Sequence, residues 1–86
     1  MDKKMIQIEN SEGIVSEVEL VTYLIDDTRQ INYVVYSKGE KSGNDGDEVI
    51  YISRVYNENG ILKIEEIKDE DEWLNVQRLL KMIANS

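Results

Sequence analysis

Apolar and polar residues alternate with a two-residue period in five stretches that together span most of the chain. This is the period of a β-strand, in which successive side chains point to opposite faces. The pattern predicts strands over residues 5–9, 14–25, 31–37, 48–56 and 61–67. The polar links between most of them are short, which favours an antiparallel meander. In the second strand, one face is predicted to consist of Val18, Leu20, Thr22 and Leu24.

A helical pattern follows the last strand. Asp69, with Glu72 three residues later, forms an Asp version of the capping box that marks a helix start. At 100° per residue, one stripe of this helix is apolar and is predicted to be buried: Trp73, Val76, Leu79, Leu80, Ile83 and Ala84. We therefore expect a single α+β domain over residues 1–86. It would be an antiparallel meander of about five strands with one C-terminal helix packed on one face.

Residues 39–47 contain three glycines and no apolar side chain, which predicts a mobile surface loop. Residues 44–48 resemble a fragment of a calcium loop, because hard cations bind several oxygen ligands. The segment lacks the alternating acids and the final Glu of an EF-hand loop. A solvated loop is the favoured interpretation, and weak divalent-metal binding is an alternative.

Composition narrows the chemistry. The chain has no Cys and no His, which excludes disulfides and thiolate nucleophiles and removes the commonest general base and metal ligand. We therefore predict no enzyme, no catalytic residue and no cofactor, and the sequence identifies no small-molecule substrate. The net charge of −8 repels nucleic acids and anionic membranes and favours basic partners. No apolar run reaches the roughly 20 residues of a membrane helix, and we expect a cytoplasmic protein.

The predicted sheet is too wide for one helix. Five strands span roughly 24 Å, whereas a helix is about 10–12 Å across. The second, third and fourth strands are nevertheless apolar on both faces, which is not typical of an antiparallel sheet with one wet side. The sheet could curl until its concave side fills itself, or the residues could reflect strand propensity. The third explanation is that the uncovered face contacts another chain.

Tyrosine is enriched at such contacts because it buries a large ring while its hydroxyl stays hydrated. The predicted partner-contact residues are Tyr23, Tyr36 and Tyr56 on the strands, with Leu74 and Met82 outside the apolar stripe of the helix. The leading functional hypothesis is a protein-interaction module that binds a protein partner or forms a homodimer. The main alternative is an acidic mimic of nucleic acid that occupies a basic protein surface.

Several short segments, in their order and spacing, resemble the YrzB-like family of small acidic bacterial proteins, a domain of unknown function common in Firmicutes. These segments are residues 18–20, 23–24, 32–35, 48–55 and 64–67, the last running into residues 69–73 and Val76. The family often has a Pro after the third strand and a longer acidic loop, whereas this chain has Ser37-Lys38-Gly39. The resemblance implies no catalytic residue.

Overall fold

The computed structural model describes residues 4–43 and 47–84. These residues form five strands followed by one helix, which confirms the predicted α+β class. The elements are β1 (Met5–Glu9), β2 (Val15–Asp26), β3 (Ile31–Ser42), β4 (Asp47–Glu58), β5 (Ile61–Glu65) and α1 (Glu70–Ala84).

The sheet closes into a barrel. Each strand pairs antiparallel with the next, and β1 also pairs in parallel with β5, with Ile8 opposite Leu62 and Glu9 opposite Lys63. The prediction of an open meander was therefore wrong. In a meander of five strands the first and last run in the same direction, and strong twist brings them together. Closure covers one sheet face without any helix, so the curling alternative was correct.

Two buried apolar clusters lie on opposite sides of β3. The barrel interior holds Ile8, Val18, Val34, Tyr36 and Val55, whereas Leu24, Tyr33, Val35 and Val76 form a second cluster that includes the helix. Neighbouring strand residues point in opposite directions, so Tyr33 and Val34 belong to different clusters. This two-sided burial explains why the third strand is apolar on both faces.

A β-bulge moves β2 from one cluster to the other. Leu20 pairs with Tyr36 and Thr22 pairs with Val35, which leaves Val21 without an opposite residue. An extra residue reverses the alternation of the strand beyond it. Val18 consequently lies in the barrel and Leu24 in the helix-side cluster. The prediction that residues 18–24 present a single apolar face was wrong for this reason.

The loop between β3 and β4 is shorter than predicted. Residues 39–42 belong to β3 and Asp47 belongs to β4, while residues 44–46 lie outside the described residues. The register shifts between Ser37 and Lys41, where Gly39 has a φ of 80° and donates its N–H to the Ser37 hydroxyl at 3.1 Å. Beyond the shift, Lys41 pairs with Glu48, an opposite-charge pair that stabilises a ladder. Strand pairing therefore extends into a segment whose polar composition predicts a loop.

The helix begins after Asp69, as predicted, because Asp69 Oδ1 accepts the Asp71 N–H at 3.0 Å. Val76 is buried against the barrel, but Trp73 is exposed and Glu72 is buried in its place. The predicted stripe was therefore wrong at Trp73 and at Ile83, which is also exposed. Glu72 does not complete a capping box, because its carboxylate bonds to two strand residues instead.

Leu24 and Ile25 test the two-sided burial of β2. Leu24 is buried and its neighbour Ile25 is exposed. We expect Leu24→Ala to lower the free energy of unfolding by about 2–5 kcal/mol, because it opens a cavity beside the helix. Ile25→Ala should change it by no more than about 0.5 kcal/mol. Urea denaturation measures both, and equal losses would contradict the assignment of Leu24 as buried and Ile25 as exposed.

Candidate functional site

An apolar pocket of about 320 Å³ opens at one end of the barrel, where β2 and β4 end and β3 and β5 begin. We call it the barrel-end pocket. Its lining is mostly hydrophobic, with two amides among the side chains: Tyr23, Ile25, Asn32, Val55, Tyr56, Asn57 and Leu62.

The pocket follows from the bulge and from the strand register. Beyond Val21 the alternation of β2 is reversed, and Tyr23 pairs with Val34, a residue of the barrel interior. Directly opposite residues share a face, so Tyr23 and Ile25 point to the barrel side. They lie beyond the filled part of the interior, and both remain exposed. The pocket is the uncovered end of the barrel core.

Two of the predicted contact residues meet at this pocket. Tyr23 is 41% exposed and Tyr56 is 42% exposed, and both line it although they come from different strands. Their convergence depends on barrel curvature, which the sequence offered only as one of three explanations for the two-sided apolar strands. The rings and the Ile25 side chain form an aromatic and aliphatic rim open to solvent.

Tyr36, the third predicted contact residue on the strands, belongs to the barrel core and not to this pocket. It is only 5% exposed, and its ring stacks on Tyr51 with centroids 5.6 Å apart. Its hydroxyl lies 3.4 Å from the Ser53 Oγ. The alternation correctly grouped Tyr36 with Val34, but barrel closure makes that side of β3 the interior.

The two predicted helix residues, Leu74 and Met82, form a separate surface. Both are more than half exposed and neither lines the barrel-end pocket. On the helix they lie away from Val76, which faces the barrel. The structure therefore divides the predicted contact residues into a pocket pair, a helix pair and one core residue.

A polar cluster, missed by sequence reasoning, joins the helix to the barrel. The Glu72 carboxylate, which is 3% exposed, accepts the Tyr33 hydroxyl at 2.7 Å. It also accepts Arg54 Nε at 2.6 Å and Nη2 at 2.9 Å, a two-point contact. One turn away, Asn75 Nδ2 donates to Asp26 Oδ2 at 2.7 Å. The only signal in the sequence was that Glu72 lies one helical turn before Val76 and therefore on the same helix face. Its partners, Tyr33 and Arg54, are distant in sequence.

The electrostatics of this cluster fix its protonation. The hydrogen bonds that Arg54 donates to Glu72 hold the pKa of the Glu72 carboxyl below its usual value. Burial, reinforced by the bond to Glu72, raises the pKa of the Tyr33 hydroxyl to about 12. At neutral pH the carboxylate is charged and the phenol is protonated, the states that make these bonds. We conclude that the cluster orients α1 on the barrel.

Among residues 4–43 and 47–84, no group of three or more acidic side chains is arranged to hold a metal ion. The calcium-loop fragment considered above includes residues 44–46, which are outside that part of the chain. The described helix is not long and apolar enough to cross a membrane.

Comparisons of the chain with protein-family models, curated proteins and solved structures gave no match. The YrzB-like resemblance therefore stays a prediction.

Glu72→Gln tests whether the polar cluster holds α1 on the barrel. The substitution removes the charge that binds Arg54, and we expect a loss of about 2 kcal/mol in unfolding free energy at neutral pH. Because the pKa of Glu72 is lowered by folding, its contribution is present above about pH 4.3 and is lost as the pH falls through the folded pKa. The difference between wild type and variant should shrink in acid. The exposed Glu66→Gln is the control, and parallel pH profiles would contradict the assignment.

Tyr33→Phe tests the hydrogen bond that the Tyr33 hydroxyl donates to Glu72. Folding raises the pKa of Tyr33 to about 12, so its contribution is present below about pH 10 and is lost as the pH rises toward 12. We expect wild-type stability to fall over this range more steeply than that of Tyr33→Phe, as measured by urea denaturation. Tyr56→Phe, at an exposed ring, should follow the wild type. A Tyr33→Phe profile as steep as the wild type would refute the assignment.

Proposed function

We propose that this protein is a non-catalytic protein-interaction module whose contact surface is the barrel-end pocket. The observation that carries the proposal is the convergence of Tyr23, Ile25 and Tyr56 around an open apolar pocket. Folding leaves these large side chains in water, although Tyr23 and Ile25 continue the barrel side of β2 beyond the filled core. Covering them with a partner would remove apolar surface from water, which is favourable.

The chemistry of the pocket supports a protein partner. Aromatic side chains in pockets are the usual energetic centres of protein interfaces. The Asn32 and Asn57 amides can donate to and accept from a partner backbone at the pocket wall. A volume of about 320 Å³ is at the small end for ligand sites and suits an inserted apolar side chain. The partner is another protein or, in the homotypic case, a second copy.

The alternative, an acidic mimic of nucleic acid, would contact its partner through different residues. A mimic would bind through carboxylates and the net charge of −8, without requiring the pocket tyrosines. Its complex would dissociate steeply as salt rises, whereas an apolar contact would not. We also propose membership of the YrzB-like family, on the order and spacing of the segments given above.

The test is affinity capture from native cytosol, with sedimentation of the purified protein to detect a dimer. The Tyr23→Gln, Tyr56→Gln double variant keeps the net charge and alters only exposed side chains. We expect it to recover at least about tenfold less partner, or to dissociate as much more readily, than wild type. The complex should persist from about 0.1 to 0.5 M salt.

The matched control is the Leu74→Gln, Met82→Gln double variant, which changes two exposed apolar residues on the helix instead. It should bind as the wild type does. Equal recovery by wild type and the tyrosine variant would exclude the barrel-end pocket as the contact. If binding also disappears at high salt, the acidic mimic replaces the proposed function.

A further inference from the structure

Within residues 4–43 and 47–84, one edge of β4 has no partner strand. β4 pairs with β3 from Asp47 to Arg54, but with β5 only from Arg54 to Glu58. Residues 48–53 therefore carry a ladder on one side alone. In the described part of the chain, no backbone bond outside the ladders and no side-chain bond to backbone involves these residues on the other side. Alternate residues of such an edge present free N–H and C=O groups.

A groove of about 610 Å³ runs beside this edge, and we call it the β4-edge groove. β4 forms one wall through residues 50–53, and the other wall is formed by residues 10–12 of the β1–β2 turn and by Glu66 and Ile67. The groove exists because the chain leaves β4 after Glu65 and crosses to α1. A strand that continued β5 would have filled it.

The groove has apolar side-chain platforms and an acidic rim. Ile50 and Trp73 are each about two-fifths exposed, at 43% and 40%. Tyr51 lies on the opposite face of β4, with Lys38 Nζ 4.6 Å from its ring centroid. The charged residues that line the groove are Glu12, Glu66 and Lys38, so its rim carries two carboxylates and one ammonium group and is net acidic.

We propose that the β4-edge groove binds an extended segment of another protein, which adds to β4 as a strand and carries alternating apolar and basic residues. A row of free backbone donors and acceptors is matched best by another extended backbone. Apolar side chains of the segment would cover Ile50 and Trp73, and basic ones would meet Glu12 and Glu66. A second copy would instead bring its own charge of −8 to an acidic rim. This site is distinct from the barrel-end pocket and does not depend on it.

The probe is a synthetic capped peptide of alternating lysine and valine, as long as residues 48–53. Trp73 is the single Trp of the chain and lines the groove, so its fluorescence reports binding. Amide shifts of 15N-labelled protein locate the peptide, and we expect the largest shifts at residues 48–53 and 66–67. An alternating glutamate and valine peptide should bind at least about tenfold more weakly, because its charge opposes the rim.

Backbone pairing is tested with two peptides N-methylated at odd or at even residues. A strand pairs through every second residue, so one methylated peptide should lose binding and the other should keep it. Ile50→Lys should weaken binding at least about tenfold, while Ile61→Lys, an equally exposed apolar site on β5, should stay within about twofold. Absence of binding, or equal binding by both methylated peptides, would overturn the proposal. Dimers that Ile50→Lys disrupts, with no peptide binding, would overturn it in favour of a second copy.

Discussion

Closure of the barrel between β1 and β5 is the constraint on which the rest of this structure depends. The parallel contact joins Ile8 to Leu62 and Glu9 to Lys63, and Lys63 Nζ lies 3.3 Å from Glu9 and 3.4 Å from Glu58. The pairing of β1 with β5 turns one sheet face into an interior. A chain of this length buries only roughly 60% of its unfolded surface. Closing the sheet therefore matters, because it shields from water apolar side chains that would otherwise need a second layer to cover them. The helix is then needed on the other face only.

The two sides of β3 show how closure and helix divide the work. Val34 packs in the barrel, where strands alone exclude water, while Tyr33 packs under α1 and anchors it through Glu72. The bulge at Val21 lets β2 contribute to both sides in turn. The same bulge directs Tyr23 into the barrel end. The barrel-end pocket is therefore a consequence of the same bulge that lets β2 contribute to both clusters.

Local sequence signals predicted the elements, because alternation and capping act over a few residues. The strands and the Asp69 cap are of this kind. What the sequence could not predict depends on contacts between distant residues. Closure requires the pairing of Ile8 with Leu62, and the burial of Glu72 requires Tyr33 and Arg54. The same limit applies to the contact residues: Tyr23 and Tyr56 needed curvature to meet, and the edge of β4 is free only because of where β5 ends.

The parallel contact between β1 and β5 also has a kinetic meaning. It joins the two strands most distant in sequence through two residue pairs, whereas every other ladder joins neighbouring strands. Closing so long a segment costs more chain entropy than forming a hairpin, so this seam forms late in folding. A seam so short is also the place where a closed barrel separates first during local opening. Such opening would expose two fresh strand edges, and the ion pair between Lys63 and Glu9 is the side-chain contact that spans this pairing.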